Sequence, residues 1–366
     1  MKFIHCADLH LDSKLNANLD KEKAKERKGE LLYTFERMIA YAVEENVTAI
    51  LIAGDLFDTK NISATVRNTV LHNILQNPGI NFYYLRGNHD NDNFLSGLDE
   101  VPDNLKLFYS QWTRYEEAEG KIVISGMELS EDNVGEAYHS LVLNGEQFNI
   151  VMLHGQEADS DVKDKAEIIN IKQYRNKGID YLALGHVHGY KKDMLDARGS
   201  YCYPGCLEGR GFDECGEHGF VVLDVEEQTR KYTHEFVPFA KRKLYTVYVD
   251  VSDCMNTVEM IAKTKAELGL QACERESLIK IVLHGTVDVE CEKNPAYFLA
   301  GIKDMYYFVK VYDETNLKVD VEDYMLDKSL KGEFVRLILE DETIEEEDKK
   351  TIIRYGLQAI VGEEVQ

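Results

Sequence analysis

The chain has 366 residues, enough for two domains, and 44% of them are hydrophobic, enough to bury a real core. It carries 42 basic against 66 acidic side chains, a formal charge of −24, which argues against indiscriminate nucleic-acid binding through a uniformly basic surface but leaves room for a local groove. The amino terminus MKFIHCADLH has no apolar signal core, no apolar run approaches the ~20 residues of a membrane helix, and seven cysteines fit a reducing compartment, so the expectation is a soluble, cytoplasmic protein with no membrane role.

Residues 3–7 read as a first strand that runs into Asp8-Leu9-His10. In extended backbone, residues two apart share a side, so Asp8 and His10 are expected to face one point while Leu9 enters the core. Residues 21–45 have the three- and four-residue apolar spacing of a helix. Residues 49–53 then form a buried strand ending in Gly54-Asp55-Leu56-Phe57-Asp58, which completes a βαβ unit with a parallel sheet. Asp55 emerges at the same carboxyl edge as Asp8, and its two oxygens suit a bridge between cations held ~3.5–4 Å apart. Asp58 reads as a cap for the segment that follows. A second helix spans 62–77, and the strand 81–85 delivers Arg86-Gly87-Asn88-His89-Asp90, three of whose side chains can do chemistry.

Strands at 106–109 and 121–125 alternate more, as expected in a mixed part of the sheet. The apolar run 148–153 ends in His154. After an expected helix around 162–175, the run 180–184 leads into Gly185-His186-Val187-His188, whose two imidazoles extended backbone would again place on one side. Strands at 201–204 and 219–225 read as closing strands of a second sheet. The glycine-rich loop between them carries Arg210, placed to meet an anion. Cys202, Cys206 and Cys215 lie near His218, but their irregular spacing reads as ordinary thiols rather than a structural zinc site. Beyond a basic connector, Lys241, Arg242 and Lys243, a β-α-β-α-β series forms a small second domain, and from residue 321 the chain reads as acidic amphipathic helices.

Five separate strand ends thus present ligand-type side chains: Asp8 and His10, Asp55, Asn88 and His89, His154, and His186 and His188. Desolvating so many polar groups at one sheet edge is costly unless ions satisfy them. The mixed nitrogen and oxygen set suits a pair of borderline divalent ions such as manganese, iron or zinc.

The motifs D-x-H, G-D, G-N-H-D, H and G-H-x-H, in this order, resemble those of the calcineurin-like metallophosphoesterases. HCADLHLDS, AGDLFD, RGNHD, GHVH and YPGCLEGRGFDECGEHGF are similar to the DNA-repair exonuclease branch of that family. The resemblance implies that Asp8, His10, Asp55 and His188 hold one ion and Asp55, Asn88, His154 and His186 a second, with Asp55 as the bridge and manganese as the first choice of metal. It implies that His89 is no ligand but protonates the leaving oxygen or contacts the phosphate, held by Asp90. It further implies a four-layer α/β/β/α sandwich with two central mixed sheets over residues 1–238, an α/β capping domain over 239–320, and carboxy-terminal helices over 321–366 that dock on an SMC-like coiled-coil ATPase, with a homodimer formed through helices of the first domain. The expected activity is a metal-dependent nuclease acting on DNA ends. Phosphate contacts are expected from Arg86 and Arg210, with Lys14, Lys60, Lys191, Lys192 and the 241–243 cluster as further candidates. A small-molecule phosphoesterase and a DNA- and ATPase-binding scaffold are the alternatives.

Overall fold

Five consecutive apolar residues, AILIA, form β2 (Ala49–Ala53), and all five are buried. A strand buried on both faces needs a layer on each side, and its alternate residues must serve both. The computed structural model, which describes residues 1–13, 19–58, 62–90, 94–96, 98, 100–158, 167–288, 291–318 and 324–361, supplies those layers. On one face Ile50 and Ile52, with Ile4 and Cys6 of β1 (Lys2–Cys6), pack on Leu31, Phe35 and Met38 of α1 (Lys21–Glu44) and Val70 of α2 (Ala64–Gln76). On the other face Ala49 and Leu51, with Phe3 and with Tyr83 of β3 (Asn81–Leu85), meet Ile124, Ile150 and Tyr181 of a second sheet. The far side of that sheet is covered by Ala137 of α3 (Val134–Ser140) and by Ile171 and Tyr174 of α4 (Ile171–Tyr174). The result is the expected α/β/β/α sandwich.

The first sheet runs β14 (Lys231–Pro238), β13 (Gly219–Glu226), β1, β2, β3 and β4 (Leu105–Leu107). The second runs β11 (Lys191–Met194), β12 (Ser200–Tyr203), β10 (Tyr181–Gly185), β7 (Phe148–His154), β6 (Ile122–Gly126) and β5 (Thr113–Glu117). Each has a parallel centre and antiparallel strands at one or both edges. One expectation fails here. The strand near 219–225 does not close the second sheet but adds to the first, antiparallel to β1, with Phe3 opposite Leu223. Both sheets point into one shared core, where Val221 and Leu223 lie, so its apolar pattern is the same whichever sheet it joins. The helix expected around 162–175 is also corrected. Residues 159–166 lie outside those described, β9 (Ile168–Asn170) pairs in parallel with β8 (Gln156–Ala158), and only the single turn α4 follows.

Contacts divide the chain into two compact units, Met1–Lys243 and Leu244–Gln366. The second has a parallel sheet of β15 (Leu244–Asp250), β16 (Leu278–His284) and β18 (Phe308–Asp313), with α5 (Thr257–Leu270) and α6 (Pro295–Ala300) closing a core around Val247, Ile281, Met260 and Phe298. Two short strands, β17 (Thr286–Asp288) and β19 (Asn316–Lys318), pair beside it. The helices Leu330–Glu340 and Glu346–Val361 share a separate cluster of Val335, Ile353 and Leu357. Among the described residues no helix is long and apolar enough to cross a membrane.

Candidate metal centre

The carboxyl ends of β1, β2 and β3 in one sheet and β7 and β10 in the other meet at one edge, where open α/β sheets place their ligands. The strands stop short of the chemistry: β1 ends at Cys6, β2 at Ala53 and β10 at Gly185. Asp8, His10, Asp55 and His186 follow in left-handed backbone, with φ of 52°, 46°, 52° and 99°. Extended alternation is therefore not what aligns Asp8 with His10 or His186 with His188. Two strand-end turns instead run side by side, Asp8 N–H to the Gly54 carbonyl at 3.1 Å, His10 N–H to Asp55 at 3.0 Å and Leu11 N–H to Leu56 at 2.9 Å. Asp and His tolerate positive φ better than most residues, yet each such position stores on the order of 1–3 kcal/mol.

Glycine makes the approach possible. A Cβ at Gly185 would collide with the Ala53 carbonyl and come within 2.8 Å of His154 Nδ1, and one at Gly87 would collide with the Asp55 carboxylate. Gly54, at φ +94°, would strike His154 itself. In the sequence these glycines read as turn-makers; their tighter duty is close approach, across the two sheets at Gly54 and Gly185 and between neighbouring loops of one sheet at Gly87.

The seven expected ligands all gather here. His10 Nε2 lies 3.2 Å from His188 Nε2, and His188 Nε2 lies 4.0 Å from Asp8 Oδ1. Asp55 Oδ2 stands between two imidazoles, 3.8 Å from His10 Nε2 and 3.4 Å from His154 Nε2. Asn88 Oδ1 is 3.0 Å from His154 Nε2, and the His186 ring lies 5.3 Å from that of His154. The His186 N–H donates to both oxygens of Asp8, at 3.0 and 2.9 Å. Three groups result, Asp8 with His10 and His188, Asp8 with Asp55 and His154, and His10 with Asp58 and His89, the ligand atoms within each lying within 4.8 Å of one another.

Tautomers give the test of fit. His154 Nδ1 donates to the Ala53 carbonyl at 2.9 Å, His188 Nδ1 to Glu214 Oε1 at 2.6 Å, and His10 Nδ1 lies 3.1 Å from Asp58 Oδ1. With Nδ1 carrying the proton, each Nε2 presents a lone pair inward, as metal-binding imidazoles do. Facing lone pairs beside Asp8 and Asp55 form a set that divalent cations would satisfy. In the metal-free chain protons take up part of the strain. Burial pushes the Asp55 carboxyl up, but the hydrogen bond and charge of His154, with the charge of His10, hold it well below the usual range. Burial would lower His154, yet Asp55 and Asp8 raise it to about 9.

Sequence reading missed Asp58 and Glu214. Glu214 also receives Arg210 Nη2 at 3.0 Å and the Arg210 N–H at 2.7 Å, and these contacts outweigh burial and keep its carboxyl well below the usual range. Asp58 looked like a cap, and nothing in the spacing of the 205–219 loop marks Glu214. His89 is half exposed at the rim, its ring 5.1 Å from that of His10, its N–H bonded to Asp55 Oδ1 at 2.9 Å. Asp90 does not hold it. That carboxylate is buried and accepts the N–H groups of Leu56, Phe57 and Gly87 at 3.2, 2.9 and 3.0 Å. Burial outweighs those bonds and raises Asp90 to about 6. The side chain facing His89 Nδ1 is Asp58, at 3.8 Å. The turn after Asp55 leaves backbone donors inside the protein, and Asp90 is the acceptor they need.

The expected phosphate contacts are largely engaged. Arg86 closes on Glu128 with two bonds of 2.7 and 2.6 Å, and Arg210 lies between Asp58 at 3.1 Å and Glu214. Lys191 pairs with Glu157 and Lys243 with Glu217, while Lys192 is exposed. Arg242 and Lys241 meet Glu30 of α1 at 2.7 and 2.8 Å in a buried network with Arg27 and Glu208. Arg27 Nη2 also donates to the Gly209 carbonyl at 2.7 Å, fixing the loop that carries Arg210 and Glu214. Lys14 and Lys60 lie outside the described residues. Cys202 sits against His234 at 3.7 Å and Cys206 against His218 at 3.2 Å, so these two cysteines do not share one site, and no disulfide forms among the described residues.

This fold and ligand set are those of a phosphoesterase: the chain belongs to the calcineurin-like phosphoesterase family, whose model matches residues 1–190, more than half its length. Family membership and the ligand geometry together indicate a dinuclear metal site. Among individual proteins, it is 29% identical to the uncharacterized metallophosphoesterase YhaO of Bacillus subtilis, over 78% of this chain and 72% of that one. It is also similar to the DNA double-strand break repair protein Mre11 of two archaea. The identity is 24% with Aeropyrum pernix, over 77% of this chain and 72% of that one, and 21% with Sulfolobus acidocaldarius, over 96% and 97%.

Proposed function

We propose that the protein is a metal-dependent phosphodiesterase that cuts DNA at or near its ends. The observation that carries the reading is the convergence of His154 and His188, each hydrogen-bonded through Nδ1, with His10, Asp8 and Asp55 beside the half-exposed His89. Likeness to Mre11 proteins along nearly the whole chain supports DNA as the substrate. Asp8, His10 and His188 would hold one ion and Asn88, His154 and His186 the other, with Asp55 between them. When bound, two divalent ions, manganese as first choice, supply charge neutralisation at the phosphate and an acidified water. The chain's own residues do the rest. Asp58, Glu214 and the Ala53 carbonyl fix the ring orientations. His89 gives a proton to the leaving oxygen, Asp58 orients it, and Arg210 holds Asp58 and Glu214 in place.

A second reading, hydrolysis of small phosphate esters, is favoured by one observation: the expected phosphate-binding Arg86 and Arg210 and the 241–243 cluster are engaged by carboxylates. Manganese-supplemented assays on end-labelled duplex and single-stranded DNA, run beside a nucleotide monoester, separate the two. Release of labelled nucleotide supports the nuclease, and turnover of the monoester alone replaces it. For assembly, we propose that the carboxy-terminal helices dock on an SMC-like ATPase through their exposed Leu330 and Leu337, and that the first unit forms a homodimer. Failure of the purified partners to associate, and a monomeric mass by light scattering, would remove these two proposals.

A further inference from the structure

Beside the edge strand β4 lies a cavity of about 290 Å³ that the ligand cluster does not use. Its walls include the aromatic residues Tyr84, Phe94, Phe108 and Tyr109 with Leu95 and Leu107, and the Arg86–Glu128 pair forms a polar side. The Glu128 N–H donates to the Tyr109 carbonyl at 2.9 Å and ties the walls together. One turn serves two places: Arg86 lines the cavity, while Asn88 and His89, two and three residues on, face the metal centre. Whatever enters the cavity therefore lies beside the turn that carries Asn88 and His89.

The walls differ in access. Tyr84 is only 2% exposed, and burial, with the charge and hydrogen bond of Asp90 beside it, raises its hydroxyl pKa. Tyr109, by contrast, is 54% exposed and open to a planar partner.

We propose that this cavity receives the nucleobase next to the scissile phosphate, in an unpaired or frayed DNA end. The proposal rests on the phosphodiesterase reading above. Aromatic faces stack on any base, and a guanidinium beside a carboxylate offers a donor and an acceptor to a base edge. The volume lies at the small end of ligand pockets, which suits one base and excludes a stacked pair. A base inside a duplex would have to leave the stack to enter, so single-stranded termini are the favoured substrates.

The test compares two phosphodiesters in saturating manganese: methyl p-nitrophenyl phosphate, which has neither a base nor a second ring, and the p-nitrophenyl ester of thymidine monophosphate, which has a base. Tyr109→Ala is expected to lower kcat/KM for the nucleoside ester, relative to the base-free ester, by about tenfold. Tyr109→Ala leaving the ratio unchanged overturns the proposal. If the wild type cleaves neither ester, the phosphodiesterase reading has failed, and binding alone then decides the cavity. Equilibrium dialysis of a thymidine dinucleotide against the metal-free chain should show weaker retention by Tyr109→Ala; equal or absent retention overturns the base site.

Discussion

Glu214→Gln isolates the part of the centre that the sequence did not reveal. The carboxylate accepts from His188 Nδ1 at 2.6 Å, from Arg210 Nη2 at 3.0 Å and from the Arg210 N–H at 2.7 Å. An amide has one oxygen for these three donors. If that oxygen keeps His188, the new NH2 faces the Arg210 N–H. If it keeps the Arg210 N–H, the NH2 faces His188, which must shift its proton to Nε2 and aim a donor at the ion. Loss of a hydrogen bond to a charged group costs about 1.5–3 kcal/mol. That agrees with the 10–100-fold drop in metal affinity typical when the partner of a ligating histidine is changed. The loss should fall on one ion only, because His188 groups with Asp8 and His10 while His154 anchors the other cluster. Calorimetric manganese titration should show one weakened and one unchanged site. Glu214 also raises the proton affinity of His188, so in the wild type a proton competes with the ion more strongly. Acidification therefore weakens wild-type binding more than the variant's, and the gap between them should narrow as pH falls. Two sites of wild-type affinity at pH 8 would refute the role.

Three further outcomes follow from the same geometry. His89→Ala should keep both ions by elemental analysis and lose roughly 10²–10⁴-fold in turnover, as expected for removal of a general acid; loss of an ion would make His89 a ligand instead. Asp55→Ala should lose both ions, since Oδ2 lies between the His10 and His154 rings, and a variant purified with two metals would sink the bridge. In the metal-free chain His154 is raised from 6.5 to about 9, so its protonation contributes stability that is complete below pH 6.5 and is lost as pH rises through 9. The melting temperature of chelator-treated protein should fall across that window, and metal binding near pH 7 should release a proton; calorimetry giving the same heat in buffers of different ionisation enthalpy would contradict this.

The sandwich was legible because its central strands are buried on both faces and read as unbroken apolar runs, AILIA above all. The ligand residues were legible because Asp, Asn and His at successive strand ends have no packing reason to be there. What the sequence could not reveal depends on backbone outside the strands. Asp8, His10, Asp55 and His186 sit at positive φ, so the residues that the period-two argument singled out come together by a different geometry. Asp90 and Asp58 exchanged expected duties because the first is buried under a turn and the second is not, a difference that arises only once the loops are folded. Glu214 joins His188 across 26 positions through a loop fixed by Arg27, a contact with no periodic signature.

The charge balance bears on substrate more than on chemistry. A chain of −24 that tracked a duplex would need a row of uncommitted cations, since each neutralised phosphate contributes affinity through counterion release. Here Lys241 and Arg242 close on Glu30, Lys243 on Glu217, Lys191 on Glu157 and Arg86 on Glu128, and they serve to hold α1, the connector and the site loops in register. Those five are engaged, but the exposed Lys192 is not among them, so attraction for phosphate is shared between the dinuclear centre and the remaining cations of the surface.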